Sequence, residues 1–205
     1  LFQGQKTAGR GFLAGRAATA LGVGVWGVLT VAGLAVLAAH QLQPGKSAEL
    51  HRAWPAASSF ARDMTRPTLV MLAHPGCPCT RASLRELERI QGEAAGRLAA
   101  HIIFLAVTGV LDSQSASIAM ARAIPGVQVH LDSAPDEAAI WGARTSGQVF
   151  LYSPDGQLRF SGGITPSRGH EGLNIGHSAI LSFVRTGRLG TVQAPVFGCS
   201  LLGGS

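Results

Sequence analysis

Apolar and polar positions divide the chain into three regimes. Residues 17–39 are uncharged and almost wholly apolar, long enough for the ~20 helical residues that cross a bilayer core. From about residue 55 to 187, short apolar runs alternate with amphipathic stretches. Within this part Thr68-Leu69-Val70-Met71-Leu72-Ala73 is a continuous apolar run, which predicts a buried strand. Leu84, Leu87 and Ile90 follow at helical spacing and predict a helix over residues 80–91, with Thr80 as its N-cap. Residues 101–107 predict a second strand, 115–123 a helix, 127–131 a shorter third strand, and 134–141 another helix. Gly109 and Asp112 are expected in a turn. Residues 149–152 and 157–160 flank Ser153-Pro154-Asp155-Gly156, a strong hairpin signal. Residues 171–185 predict the last helix, stopped by Gly187. A short helix is also expected over residues 56–64, ended by Arg66-Pro67. Strands alternating with helices, then a hairpin, predict an α/β fold with parallel crossovers and added antiparallel strands.

The uncharged stretch is expected to be a retained membrane anchor. Gly22, Gly24, Gly27 and Gly33 suit a transmembrane helix better than a soluble one, and Trp26 at mid-span suits a partner rather than an interfacial belt. Lys6, Arg10 and Arg16 precede the span, so the positive-inside rule puts the N-terminus in the cytoplasm and everything after Gln41 on the exported side. Lys46 and Arg52 lie beyond it. The competing reading is a cleaved signal peptide, whose apolar region is normally about 7–15 residues. Leu1-Phe2-Gln3-Gly4 resembles a protease-tag remnant and is set apart. The expected organisation is a cytoplasmic segment 1–16, a span 17–39, a tether 40–54, a folded domain 55–187 and a tail 188–205.

The formal charge of +6 and a pI near 10.2 do not point to nucleic acid. The basic residues are scattered and no aromatic stripe interleaves with them. Three cysteines exclude a disulfide-dense scaffold and suit a redox pair plus one, or a metal set. Cys77 and Cys79 flank Pro78 on the turn between the first strand and its helix. A helix N-terminus favours the thiolate. A disulfide across one residue closes a smaller ring than Cys-X-X-Cys, and strained disulfides are the labile, oxidising ones. The plainer alternative is two small buried apolar side chains.

This order of elements, with thiols on the first strand–helix turn, resembles the thioredoxin fold over residues 55–187. It looks most like bacterial membrane-anchored thioredoxin-like proteins that face the periplasm. That family carries Cys-X-X-Cys after Trp, whereas this chain has Cys-Pro-Cys after Gly76. The family also places a cis-proline opposite the thiols, where this chain has Arg144-Thr145-Ser146-Gly147-Gln148. The resemblance implies that Cys77 attacks, Cys79 resolves, and a protein thiol or disulfide is the substrate. A smaller group of thioredoxin-like proteins shares the Cys-Pro-Cys turn and an Arg-Gly-His-Glu loop, here residues 168–171.

The glycine-rich loop 162–174 returns from the hairpin toward the thiol end, so His170 and Glu171 are expected to face Cys77 and Cys79. Capping or solvation of Arg168, His170 and Glu171 is the alternative. The chain also resembles copper-delivering assembly factors of respiratory oxidases. On that resemblance Cys77, Cys79 and His170 would hold Cu(I), with Cys199 as a fourth ligand, since soft thiolates and one imidazole suit that ion. Cys199 otherwise reads as a buried structural thiol or a resolving one. His74 is placed to hydrogen-bond or ligate near the turn. A third reading is an accessory subunit of a larger membrane complex, with structural thiols and the glycine-lined helix as docking face.

Overall fold

The computed structural model describes residues 8–105, 115–132, 136–188 and 192–201. Lys6, Gly109, Asp112, Ala134 and the end of the second predicted strand at Ala106 and Val107 lie outside the described residues. The chain divides into two units, residues 1–42 and 43–205. The described residues of the first form α1 (Ala8–Leu42). Its stretch Gly15–Leu42 is 28 residues long and apolar enough to cross a membrane, with side chains exposed throughout. An exposed apolar surface of this length is what a lipid environment accommodates.

The second unit is built on β1 (Thr68–Ala73), α2 (Pro78–Ala94), β2 (Ala99–Leu105), α3 (Ala116–Ala123), β3 (Val127–Asp132), α4 (Asp136–Ile140), β4 (Gln148–Tyr152), β5 (Leu158–Gly162), α5 (Ile175–Thr186) and β6 (Val192–Gln193). One six-stranded sheet runs β3-β2-β1-β4-β5-β6. β1, β2 and β3 are parallel; β4 and β5 form the antiparallel hairpin; β6 adds in parallel to β5. Both faces of β1 are buried, which explains its continuous apolar sequence. Leu69, Met71 and Ala73 join Leu84, Leu87, Ile90 and Ile180 under α2 and α5. Val70 and Leu72 join Ile103, Trp141, Phe150 and Tyr152 on the other face.

Two local expectations give way. Residues 56–64 contain bends rather than a helix. The Asp63 carboxylate takes the backbone N–H of Thr65 at 2.8 Å and of Arg66 at 2.9 Å, a side-chain turn that competes with helix. The N-cap of α2 is Cys77, in extended geometry at φ −78°, ψ 122°, with Pro78 opening the helix. Proline supplies the right φ and lacks the N–H that the first turn would leave unpaired, so the cap lies three residues before Thr80 and the helix starts at Pro78.

Of the expected tether 40–54, residues 40–42 belong to α1 and residues 43–54 are laid along the domain. Gly45 N–H donates to the Val196 carbonyl at 2.8 Å and Glu49 N–H to Gly142 at 3.0 Å. Tyr152 donates its hydroxyl to the His51 carbonyl at 2.9 Å, and Arg144 pairs with Glu49. Trp54 packs edge-on against Trp141 and Tyr152.

Candidate functional site: a three-thiol centre at the start of a helix

β1 delivers the chain to the helix start, and the geometry of that start places the thiols. Cys77 N–H donates to the His74 carbonyl at 3.2 Å and Thr80 N–H to the Cys77 carbonyl at 3.0 Å. The turn is thereby closed before Cys79 enters the helix. Thr80 is freed from capping. Its hydroxyl donates to the His74 carbonyl at 2.9 Å and lies 3.1 Å from Ser146 Oγ, which accepts the His74 N–H at 2.9 Å. Thr145-Ser146-Gly147 occupies the place opposite the thiols, with trans peptides throughout.

The tail completes the site. Val196 and Phe197 are buried. Arg168 Nη1 donates to the Gly198 carbonyl at 2.7 Å. Ser146 N–H donates to the Cys199 carbonyl at 2.8 Å and Leu201 N–H to Arg144 at 2.9 Å, while Ser200 bridges to Thr145. Gly198 makes this approach possible, because a Cβ there would collide with the Ser146 carbonyl oxygen. The Cys199 N–H then donates to Cys77 Sγ at 3.4 Å.

All three cysteines are free thiols, and they are electrostatically unequal. Burial alone would raise the Cys77 pKa, since only 2% of the residue is exposed. Four donors outweigh it: the Cys199 thiol and N–H, the Cys79 N–H and the Ser146 hydroxyl hold Cys77 below the ordinary thiol range. Hydrogen bonds to the charged form favour it. Cys79 moves the other way. Burial, the neighbouring Cys77 charge and its hydrogen bond to Cys77 raise it, against the Gly169 N–H and Arg168. Cys199 is pushed up to about 12 by burial, by its bond to Cys77 and by both neighbouring thiolate charges, against Arg168. The arrangement makes Cys77 the most acidic of the three thiols.

The glycine-rich loop does return to this end, because Gly162 pairs with Val149 at the start of β4. It acts on the thiols through Gly169 N–H and the Arg168 guanidinium. His170 is exposed, with Nδ1 2.7 Å from the Arg168 carbonyl. Glu171 pairs with Arg85 at 3.3 Å and Arg89 at 3.0 Å. His74 is half-buried, and burial lowers its imidazole pKa. Among the described residues, no group of three or more His, Cys, Asp or Glu side chains is arranged to hold a metal ion.

Two contributors escaped sequence reasoning. Ser146 sits in a stretch noted only for its missing proline. Glu86, 1% exposed, binds Gly172 N–H at 2.7 Å, Arg89 at 3.0 Å and His177 Nδ1 at 3.1 Å. It ties the loop to α2 and α5 across 86 residues, a separation that no local pattern reveals.

No protein-family profile matches the sequence, and no curated protein matches it. Solved structures do. A hypothetical protein from Sinorhizobium meliloti superposes with a TM-score of 0.60 at 20% identity, over 76% of this chain and 97% of that one. An uncharacterized conserved protein from Geobacillus kaustophilus gives 0.57 at 17% identity, over 80% and 93%. More distantly, the exposed lipoprotein thioredoxin of Streptococcus pneumoniae gives 0.42 at 15% identity, over 60% and 85%. The fold is thioredoxin-like. The thiols occupy its first strand–helix turn, the hairpin follows, and α5 closes the sheet. β3 stands at the outer edge beside β2 as an addition to the minimal pattern of strands.

Proposed function

We propose that this protein is a membrane-anchored thiol–disulfide oxidoreductase whose thioredoxin-like domain works on the periplasmic side. The observation that carries this reading is the Cys77 sulfur, held at the N-cap of α2 among N–H, hydroxyl and thiol donors. A structural thiol in an apolar core has no use for such a cage, and burial there would leave it protonated. A thiolate so stabilised is a nucleophile when a disulfide is reduced, and a good leaving group when one is opened. Either Cys79, the less acidic neighbour in the first helical turn, or Cys199 on the tail resolves a mixed disulfide with a protein substrate. An apolar groove of about 250 Å³ lined by Pro166, Leu173, Ile175 and Phe197 opens beside the tail and suits a peptide chain.

The test is a titration of thiolate ultraviolet absorbance beside an exchange assay. The parent should show one thiol ionising below the ordinary range, its thiolate absorbance lost on acidification. Cys77→Ser should lose that transition and all exchange with a model disulfide. A Cys77→Ser protein that still exchanges at the parent rate overturns the reading.

A further inference from the structure

Cys77 is buried, yet exchange requires a sulfur that a partner can reach. Cys79 is also buried, whereas Cys199 is exposed. The tail that carries it is fixed on both sides of the thiol. Before it, β6 pairs with β5, Gly163 N–H donates to the Pro195 carbonyl at 3.2 Å, and Arg168 grips Gly198. After it, Leu201 is buried and bonded to Arg144. A chain pinned in this way presents Cys199 to Cys77 by construction. The Cys199 N–H reaches the Cys77 sulfur at 3.4 Å, and its thiol hydrogen-bonds the same atom.

Building on the oxidoreductase reading, we infer that the working disulfide is Cys77–Cys199, with Cys199 as the half carried by the more exposed residue and Cys77 as its buried leaving group. Closure between Cys77 and Cys79 has to act across Pro78, whose φ is fixed, at a helix start held by the Thr80–Cys77 bond. Closure to Cys199 joins two separate segments and leaves the helix start intact. The chemistry then has a direction. A thiolate of a substrate dithiol attacks Cys199 Sγ. The Cys77–Cys199 bond breaks, its electron pair departs on Cys77, and a Cys199–substrate mixed disulfide forms. The second substrate thiolate attacks the substrate sulfur of that bond. Cys199 departs and takes a proton, and the substrate leaves as a disulfide. Two electrons have moved to the Cys77–Cys199 pair. The same steps reversed reduce a substrate disulfide. The pair is reset by exchange with a second disulfide or dithiol of opposite redox state. Attack falls on the sulfur of the more exposed residue and departure on the better-stabilised thiolate, which is the fast arrangement for exchange. Cys79 stays a thiol and donates to the departing Cys77.

The full chain in detergent, oxidised with oxidised glutathione and then alkylated, tests this by tryptic mapping. The fragment carrying Cys77 should be linked to the fragment carrying Cys199. Closing a loop between positions 122 apart should also speed migration on a non-reducing gel, whereas a Cys77–Cys79 bridge would not. Cys79→Ser should retain the link, and Cys77→Ser should lose it. Gly198→Ala, which displaces the tail without removing a thiol, should reduce its yield several-fold. A parent that forms only Cys77–Cys79, with Cys199 alkylated, overturns the inference and leaves the oxidoreductase reading standing. A parent with no Cys77 disulfide and no exchange sinks both.

Discussion

Cys77 and Cys79 are two positions apart in sequence and shifted in opposite directions as acids. The difference lies in what each sulfur receives. Cys77 accepts hydrogen bonds from two cysteine N–H groups, a hydroxyl and the Cys199 thiol, whereas Cys79 faces the charge of Cys77. Arg168 is the residue that tempers the penalty, because its charge lowers both Cys79 and Cys199. Removing the charge in Arg168→Gln should raise both thiols further and leave less thiolate at any given pH. Each pKa unit is a factor of ten in thiolate fraction, so the step in which Cys199 attacks should slow by about two- to threefold. Arg168→Lys keeps the charge without the planar fork and should recover part of the rate. Exchange kinetics across a pH series separate the two effects. A mere loss of tail anchoring would lower the rate equally at every pH, whereas the charge effect shrinks as pH rises toward the shifted pKa values.

At the scale of elements, what was legible in the sequence was whatever has a period or a punctuation mark. The strand Thr68–Ala73 and the hairpin around Pro154-Asp155-Gly156 read directly, because burial on both faces and turn chemistry are local properties. The start of α2 was misjudged because Thr80 is a good cap in isolation, while Pro78 at the first helical position decides the boundary. The role of Glu86 was hidden for another reason. In Arg85-Glu86-Leu87-Glu88-Arg89 it reads as one charge on a solvated face, yet Gly172 and His177 close over it. The tail was legible only in part: Cys199 reads as a resolving thiol or a fourth ligand beside Cys77, but nothing local marks the backbone bonds that hold it there. Glu86→Ala should leave the Gly172 N–H and His177 Nδ1 without their acceptor and cost about 1–3 kcal/mol, the usual size for orphaning a buried donor. Glu86→Gln keeps an acceptor for Gly172 and should cost less. Denaturant unfolding reads both. If Glu86→Ala unfolds at the parent midpoint, the carboxylate does not hold the loop.

The whole molecule joins an apolar helix to a domain whose chemistry depends on its compartment. A labile disulfide serves in an oxidising space and is kept reduced in the cytosol, so the side of the membrane on which the domain emerges decides what the thiols do. The helix is long and apolar enough to cross. Lys6, Arg10 and Arg16 precede its uncharged run 17–39, and basic residues flanking a span favour the cytoplasmic side. A phosphatase reporter joined after Ser205 keeps the tail and Cys199 in place. It should be active, and the chain should stay with membranes through an alkaline wash, as a retained anchor requires. A fluorescent reporter that matures only in the cytoplasm should stay dark at the same position. Fluorescence without phosphatase activity would reverse the orientation and place Cys77 among cytosolic reductants. The oxidised Cys77–Cys199 pair would then be a transient species, and the protein would be a reductase or sensor of the cytoplasmic face.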